Sequence, residues 1–196
     1  MGSIFYLMGK SSSGKDTIYH QLLKDEELNL KKIVLYTTRP IRAGEEDGVQ
    51  YHFVDEDAVS SLQKQGKIIE LREYQTFHGP WKYFTVDDAS MDLQKADYII
   101  IGTIESYIKT RDYFGQEKVL PIMIELDDGV RLQRALDREK KEESPRYEEM
   151  CRRFLADAVD FSDEVKQKAG ITKEYVNNDL QQCLDEIKAY IKAARG

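Results

Sequence analysis

The sequence has few of the residues that build disulfide-bonded or membrane-spanning proteins. Its 196 residues include only two cysteines, Cys151 and Cys183, which lie far apart and lack metal-ligand spacing. We therefore expect two reduced thiols and a cytoplasmic location. No apolar run approaches the length of a membrane span, and the first residues lead into a strand pattern without a secretory leader. We expect no membrane partner.

Positive charge is also in deficit. The chain carries 29 Lys and Arg against 36 Asp and Glu, for a net charge of −7. A chain of this sign is not held to nucleic acid by its overall field, so we expect no nucleic-acid partner. Any bound phosphate must be held by local clusters of Lys and Arg. His20, His52 and His78 form no metal-ligand cluster in sequence, and the oligomeric state cannot be read from this composition.

What the sequence does contain is a series of short apolar runs that alternate with helical periodicity. Strand patterns occupy 4–8, 32–36, 98–101, 119–125 and 173–177, and helical patterns occupy 15–24, 104–113, 130–138 and 179–193. This alternation, with isoleucine-rich strands, predicts an α/β fold with a parallel sheet and helices on both faces. The chain is long enough for one such core with insertions.

Two stretches interrupt the alternation. Residues 37–88 are polar and aromatic, with turn signals and too few helices for a crossover, and we interpret them as a small inserted mixed α/β subdomain. The core would then comprise 1–36 and 89–196. Residues 139–147 are charged and poor in apolar side chains, as expected for a mobile lid or for a plain solvated loop.

A phosphate-binding loop follows the first strand. Residues 9–15 read Gly-Lys-Ser-Ser-Ser-Gly-Lys, which is the G-x-x-x-x-G-K pattern between a strand and a helix. Backbone N–H groups of such a loop surround a polyphosphate, and Lys15 would act as the catalytic cation on its β- and γ-phosphates. The alternative is a Ser/Gly-rich turn of an unrelated α/β protein. The nucleotide-binding residues predicted here are Gly9, Ser11, Ser12, Ser13, Gly14, Lys15, Asp16 and Thr17.

The position after Lys15 usually carries a Ser or Thr whose hydroxyl binds Mg²⁺, but here it is Asp16, followed by Thr17. Asp16 could bind the metal through water or could cap the helix. We favour the cap and retain Asp16 and Thr17 as the metal candidates.

A second motif lies at the start of the insertion. A turn-rich segment contains Arg39, Arg42 and Tyr51, whose side chains could converge on a phosphate monoester. Both arginines could equally be surface charges. The segment from Thr37 to Phe53 reads Thr-Thr-Arg-x-x-Arg-x-Gly-Glu-x-x-Gly-x-x-Tyr-x-Phe. With the preceding loop, it resembles the guanylate kinase family. The resemblance covers essentially the whole chain.

The resemblance implies an acceptor site for GMP. Arg39, Arg42, Tyr51 and Tyr83 would hold the GMP phosphate, whereas Glu70 and Thr85 would contact guanine. A buried carboxylate accepts hydrogen bonds from guanine N1–H and the 2-amino group, and it rejects adenine because adenine N1 is an acceptor. The alternative for Glu70 is a surface carboxylate on an edge strand.

Four features depart from the family pattern. Leu35 stands where the family has a small hydroxyl residue, and Phe84 replaces a glycine. Residues 102–105, Gly-Thr-Ile-Glu, replace an Asp-x-Asp pattern, so that Glu105 or Asp16 would have to substitute for its carboxylates. The stretch 74–82 is longer than usual.

On the donor side, the resemblance implies that Arg134, Arg138 and Arg153 act catalytically by closing over ATP and the transferred phosphoryl group. Asn177 would contact the adenine edge, or would belong to a helix-capping loop. The implied activity is ATP-dependent phosphorylation of GMP to GDP, with ATP as donor and Mg²⁺ as cofactor. The alternatives are a kinase with another nucleoside monophosphate as acceptor, and a non-catalytic guanylate-kinase-like binding module.

Overall fold

The computed structural model describes residues 2–76, 79–88 and 90–195. Part of the predicted long stretch 74–82 therefore lies outside the described residues. The strands are β1 (Ile4–Gly9), β2 (Lys31–Lys32), β3 (Leu35–Thr37), β4 (Tyr51–Phe53), β5 (Ile68–Thr76), β6 (Gly79–Val86), β7 (Tyr98–Ile101), β8 (Val119–Glu125) and β9 (Glu174–Val176). The helices are α1 (Lys15–Lys24), α2 (Glu56–Lys64), α3 (Ile104–Phe114), α4 (Asp128–Glu139), α5 (Tyr147–Asp160), α6 (Asp163–Lys168) and α7 (Leu180–Ala194).

Five strands form a parallel sheet in the order β2-β7-β1-β8-β9. The central strand β1 is apolar and fully buried because both faces of the sheet are covered. Leu22 of α1 and Ile187 of α7 pack in one apolar cluster with β1, and Tyr107 of α3 packs in the other. The prediction of an α/β fold with a helix-covered parallel sheet is confirmed.

A second sheet has four strands in the order β4-β3-β6-β5, with one parallel and two antiparallel pairings. Val59 of α2 covers one face by packing on Phe84 and Val86 of β6. The strand predicted at 32–36 is instead two short strands, because the chain leaves the first sheet after Lys32 and enters the second at Leu35. The assignment of 37–88 to acceptor binding stays a prediction.

Helices α4 and α5 flank the segment predicted as a lid. Helix α4 ends at Glu139 and α5 begins at Tyr147, so the intervening residues connect two helices. Within the described part of the chain, no helix combines the length and apolar character needed to cross a membrane.

Candidate active site

The loop between β1 and α1 is tightly packed against the rest of the core. Gly14 is the N-cap of α1 and has φ 90°, in the left-handed region that favours glycine. A Cβ at Gly14 would also lie 2.3 Å from Nδ2 of Asn177, so no larger residue fits there. The glycine of the G-K pair is therefore required by both backbone conformation and space.

Two hydroxyl groups of this loop are left without partners. Oγ of Ser12 and Oγ of Ser13 are buried and make no hydrogen bond within the described residues. Buried polar atoms are nearly always satisfied in folded proteins, and each exception calls for an explanation such as a catalytic role or a bound water. The unused hydrogen-bonding capacity therefore lies in the segment that the sequence assigns to phosphate binding.

Lys15 and Asp16 occupy the first turn of α1. The Lys15 side chain is 19% exposed, and its Nζ lies 3.8 Å from Oδ2 of Asp16, whose side chain is 76% exposed. Thr17 is also exposed. The prediction that Asp16 caps the helix is wrong, because Gly14 is the N-cap and has no side-chain cap bond. A carboxylate in the first turn is still favoured by the helix dipole.

Asn177 follows β9 and lies beneath the loop. Its Nδ2 donates a hydrogen bond of 2.7 Å to the carbonyl oxygen of Ser13, and its side chain is buried. Its backbone N–H donates to the carbonyl of Glu125 at the end of β8. Asn177 therefore fastens the loop to the sheet, and the adenine contact implied by the resemblance stays a prediction.

Arg131 of α4 and Asp157 of α5 hold the other end of the loop, and sequence reasoning missed both. Nη1 of Arg131 donates to the Ser11 carbonyl at 2.8 Å, and Oδ2 of Asp157 accepts from the Ser11 N–H at 2.8 Å. Arg131 is fully buried and also pairs with Asp128. The i, i+3 spacing of Asp128 and Arg131 could have suggested that pair, but nothing local indicates the contact with Ser11.

The predicted lid arginines are divided between two places. Arg138 and Arg153 line a cavity of about 100 Å³ between α4 and α5, together with Arg131 and Arg146. Arg134 is exposed, and its Nη1 lies 3.8 Å from the position that a Cβ on Gly14 would occupy. The structure therefore brings Arg134 to the phosphate-binding loop.

Glu149 of α5 holds two arginines on the same helix. Its carboxylate accepts from Nε of Arg152 at 2.7 Å and from Nε of Arg153 at 2.8 Å. These hydrogen bonds lower the pKa of Glu149 to about 2, and the bond from Arg152 has the largest effect. Arg153 also lines the cavity between α4 and α5, and its role in closing over ATP stays a prediction.

On the second sheet, Glu70 and Thr85 face each other across β5 and β6. The Glu70 side chain is completely buried, and its Oε1 accepts from Oγ1 of Thr85 at 2.8 Å. Its carboxylate also accepts from Nε of Arg72 at 2.9 Å and from Nη2 of Arg72 at 3.3 Å. The surface-carboxylate alternative for Glu70 is therefore wrong.

The structure brings together some of the residues predicted to hold the GMP phosphate. The guanidinium of Arg39 lies 5.5 Å from the ring centre of Tyr51, and the rings of Tyr51 and Tyr83 lie 5.6 Å apart. Arg39 is buried and makes two hydrogen bonds to Glu45, which raise its pKa further above the usual range. The Arg42 side chain is exposed, and its backbone N–H donates to Glu45.

Three of the departures from the family pattern, Phe84, Leu35 and residues 102–105, lie in different surroundings. Phe84 packs in the apolar cluster on the opposite face of β6 from Thr85, and Leu35 packs against the core of the first sheet. A Cβ on Gly102 would lie 2.4 Å from the hydroxyl of Tyr6, so a carboxylate side chain does not fit at this position. Glu105 is a surface residue paired with Lys109.

Comparison with known proteins shows the family of this chain. The family model described as Guanylate kinase matches residues 2–194. A guanylate kinase of Alkalilimnicola ehrlichii is 30% identical over 99% of this chain and 90% of its own length. A guanylate kinase of Oleidesulfovibrio alaskensis is 30% identical over 98% of this chain and 88% of its own length.

A solved structure supports the fold. The crystal structure of guanylate kinase from Anaplasma phagocytophilum superposes with a TM-score of 0.67 at 23% sequence identity. The match covers 98% of this chain and 85% of that one. With the family model spanning almost every residue, these matches place the chain in the guanylate kinase family.

Proposed function

We propose that this chain transfers the γ-phosphoryl group of ATP to GMP and releases ADP and GDP. The observation that carries the proposal is the pairing of two sites in a chain of this family. One is the phosphate-binding loop with Lys15 and the hydroxyls of Ser12 and Ser13, which have no partner among the described residues. The other is the buried carboxylate of Glu70 on β5 of the second sheet, which is paired with Thr85 of β6.

On the donor side, backbone N–H groups of the loop and Nζ of Lys15 bind the β- and γ-phosphates. Arg134, Arg138 and Arg153 place positive charge where negative charge grows on the transferred group. Arg131 and Asp157 keep the loop in shape by holding both backbone groups of Ser11. Closure of the segment 139–147 over the nucleotide would exclude water, which otherwise consumes ATP by hydrolysis.

On the acceptor side, Arg39, Arg42, Tyr51 and Tyr83 orient the monophosphate, and Glu70 with Thr85 selects its base. A phosphate oxygen of the acceptor is already ionised at neutral pH, so the attack needs no general base. The oxygen attacks the γ-phosphorus in line, and the bond from that phosphorus to the β-phosphate oxygen breaks without a covalent enzyme intermediate. The protein supplies positioning and charge.

Asp16 and Thr17 would hold Mg²⁺ together with the substrate phosphates. Both are exposed at the start of α1, and carboxylate and hydroxyl oxygens suit this ion. No group of three His, Cys, Asp or Glu within the described ranges could hold a metal alone, which fits an ion that phosphates help to bind. The ion would neutralise phosphate charge during transfer.

We further propose that residues 37–88 form the acceptor-binding subdomain and that 1–36 with 89–196 form the nucleotide-binding core. The unpaired thiols of Cys151 and Cys183 favour a cytoplasmic location. The substrates, ATP and GMP, are the partners that this site supports.

The test is a coupled assay of ADP release with GMP, IMP, AMP, CMP and UMP as acceptors. We expect 6-oxopurine acceptors to be used and AMP to be slower by about 10² or more, since Glu70 offers no donor to adenine N1. Equal use of AMP or a pyrimidine monophosphate would replace the proposal with a kinase for another acceptor. Folded protein without turnover on any of them would favour a binding module.

A further inference from the structure

Glu70 and Arg72 project together from the face of the second sheet that carries the predicted acceptor-binding residues, because side chains two residues apart on a strand share one face. In the β5·β6 register, Glu70 lies opposite Thr85. Arg72 lies opposite Tyr83, in the next pair along the same face. The Arg72 side chain is 11% exposed. Its guanidinium therefore lies between the residues expected to bind the base and those expected to bind the phosphate.

The hydrogen bonds that Glu70 already makes conflict with full recognition of guanine. Guanine donates from N1–H and from its 2-amino group, so it needs one lone pair on each carboxylate oxygen. An ionised carboxylate has two lone pairs on each oxygen. Oε1 accepts from Thr85 and from Nη2 of Arg72, so both of its lone pairs are occupied. Oε2 accepts only from Nε of Arg72 among the described residues and keeps one lone pair.

Of the two donors on Oε1, Arg72 makes the weaker hydrogen bond. The distance from Nη2 of Arg72 is 3.3 Å, beyond the usual range, whereas the distance from Oγ1 of Thr85 is 2.8 Å. The 2.9 Å bond from Nε of Arg72 to Oε2 does not have to break, because that oxygen has a second lone pair. Guanine that binds Glu70 through both donors therefore displaces Nη2 of Arg72.

The residues predicted to hold the monophosphate lie next to this guanidinium. Because Arg72 binds Glu70 side-on through Nε and Nη2, its Nη1 points away from the carboxylate, and it donates to no described residue. The ring of Tyr83, opposite Arg72, lies 5.6 Å from that of Tyr51. Burial raises the pKa of Tyr51, and the charges of Arg39 and Arg72 oppose that rise. Both cations thus act on the same hydroxyl group.

We propose that Arg72 couples recognition of the base to recognition of the phosphate, by exchanging one hydrogen bond to Glu70 for one to the acceptor phosphate when guanine binds. The inference rests on the proposed function and deepens it. In the empty site, Arg72 neutralises a buried carboxylate that is costly to leave unpaired. With GMP bound, guanine takes the place of Nη2 on Glu70, and the freed N–H groups of Arg72 donate to the phosphate beside Tyr83. An acceptor without this base leaves Arg72 on Glu70.

The experiment measures the dissociation constants of GMP, guanosine and ribose 5-phosphate for the wild type and Arg72→Gln, by calorimetry and, for the weaker ligands, by competition with GMP. Guanosine carries the base without the phosphate, and ribose 5-phosphate carries the phosphate without the base. Glutamine can still donate a hydrogen bond to Glu70, so the buried carboxylate keeps a partner. Lys67→Gln is the matched control, because it removes the same charge from an exposed residue just before β5.

We expect Arg72→Gln to weaken GMP binding by about tenfold or more, the effect of one lost hydrogen bond to a charged group. Binding of guanosine and ribose 5-phosphate should change by less than about threefold, because the exchange needs base and phosphate together. Lys67→Gln should bind all three ligands as the wild type does. Equal weakening of GMP and ribose 5-phosphate would make Arg72 a permanent phosphate ligand. Equal weakening of GMP and guanosine would make it a support for Glu70 alone. Either result, or unchanged GMP binding, overturns the inference.

Arg72→Lys keeps the inference testable if urea denaturation shows that Arg72→Gln does not fold. Lysine retains the positive charge beside Glu70, but its single ammonium cannot hold the carboxylate and the phosphate in the way that a guanidinium can. Binding of GMP should again weaken more than binding of guanosine or ribose 5-phosphate. Equal changes for the three ligands would overturn the inference.

These binding measurements also separate the inference from the proposed function. Selective weakening of GMP binding in Arg72→Gln, without phosphoryl transfer from ATP to GMP by the wild type, would defeat the proposed function alone. Transfer by the wild type, with equal effects of Arg72→Gln on GMP and on guanosine or ribose 5-phosphate, would defeat the inference alone. Failure of the wild type to bind GMP would defeat both.

Discussion

The side-chain amide of Asn177 donates a 2.7 Å hydrogen bond to the carbonyl of Ser13, a residue 164 positions earlier in the chain. The bond closes the phosphate-binding loop onto the end of β9. A buried carbonyl needs such a partner, because an unsatisfied polar group is expensive to bury. The C-terminal part of the chain thus controls the shape of a loop near its beginning.

Replacing Asn177 with alanine should therefore raise the KM for ATP and leave the KM for the monophosphate within about twofold, because only the donor loop loses its support. The free energy of unfolding should fall by about 1–3 kcal/mol, the usual penalty for an unsatisfied buried group. Steady-state kinetics and urea denaturation measure the two effects. Asn178→Ala, an exposed neighbour, is the control. Equal effects from both variants would contradict the loop contact.

The bond between Glu45 and Arg39 predicts a positioning role for Glu45. Glu45→Gln removes the charge that holds both terminal nitrogens of the Arg39 guanidinium. We expect the KM for the monophosphate to rise about tenfold, as for a weakened charge-assisted hydrogen bond, with little change for ATP. Glu46→Gln, whose side chain is exposed, is the matched control. A lower KM for the monophosphate would show instead that Glu45 competes with phosphate for Arg39.

Asp157 accepts from the Ser11 N–H and pairs with Arg131. We therefore expect the negative charge of Asp157 to contribute both to stability and to ATP binding. Asp157→Asn keeps an acceptor for Ser11 but weakens the partner of the buried Arg131 guanidinium. We expect a loss of about 1–3 kcal/mol of stability and a higher KM for ATP. Glu148→Gln, an exposed carboxylate on the opposite side of the same helix, should leave the KM for ATP unchanged. Unchanged thermal unfolding and KM in Asp157→Asn would contradict the role of this network.

Glu149 predicts a pH dependence of stability. Its pKa is lowered to about 2 in the folded chain, chiefly by Arg152, so its ion pairs stabilise the fold above the ordinary pKa of 4.5. That contribution is lost as the pH falls from about 4.5 to 2. The side chain is partly exposed, so the effect should stay below about 1 kcal/mol. Denaturation of the wild type and Glu149→Gln should differ at pH 6 and converge near pH 2. A constant difference would contradict this assignment.

Local patterns in the sequence were sufficient to predict the structure at positions where only one type of residue fits. The G-x-x-x-x-G-K spacing placed Gly14 correctly because its left-handed backbone and the contact with Asn177 admit only glycine. The apolar run of β1 likewise indicated a strand buried on both faces. The boundary near residues 33 and 34 was missed because the chain changes sheets there, which depends on tertiary contacts.

Contacts between distant segments were not predictable in the same way. Arg131 reaches Ser11 across 120 positions, and no local pattern encodes that meeting. The i, i+2 spacing of Glu70 and Arg72 does place both side chains on one face of a strand, but their double hydrogen bond depends on side-chain rotamers. Asp16 looked like a helix cap because the true N-cap, Gly14, has no side chain to reveal it.

The proposed reaction is tested most directly by following a γ-phosphoryl label from ATP in the presence of GMP. The label should appear in GDP with the wild type, and Lys15→Ala should slow its transfer by about 10²–10³ or more, as when a donor to developing charge is removed. Lys24→Ala, at the exposed far end of α1, should transfer it at the wild-type rate. Label found only in inorganic phosphate, or transfer to GDP undiminished by Lys15→Ala, would contradict the proposed reaction.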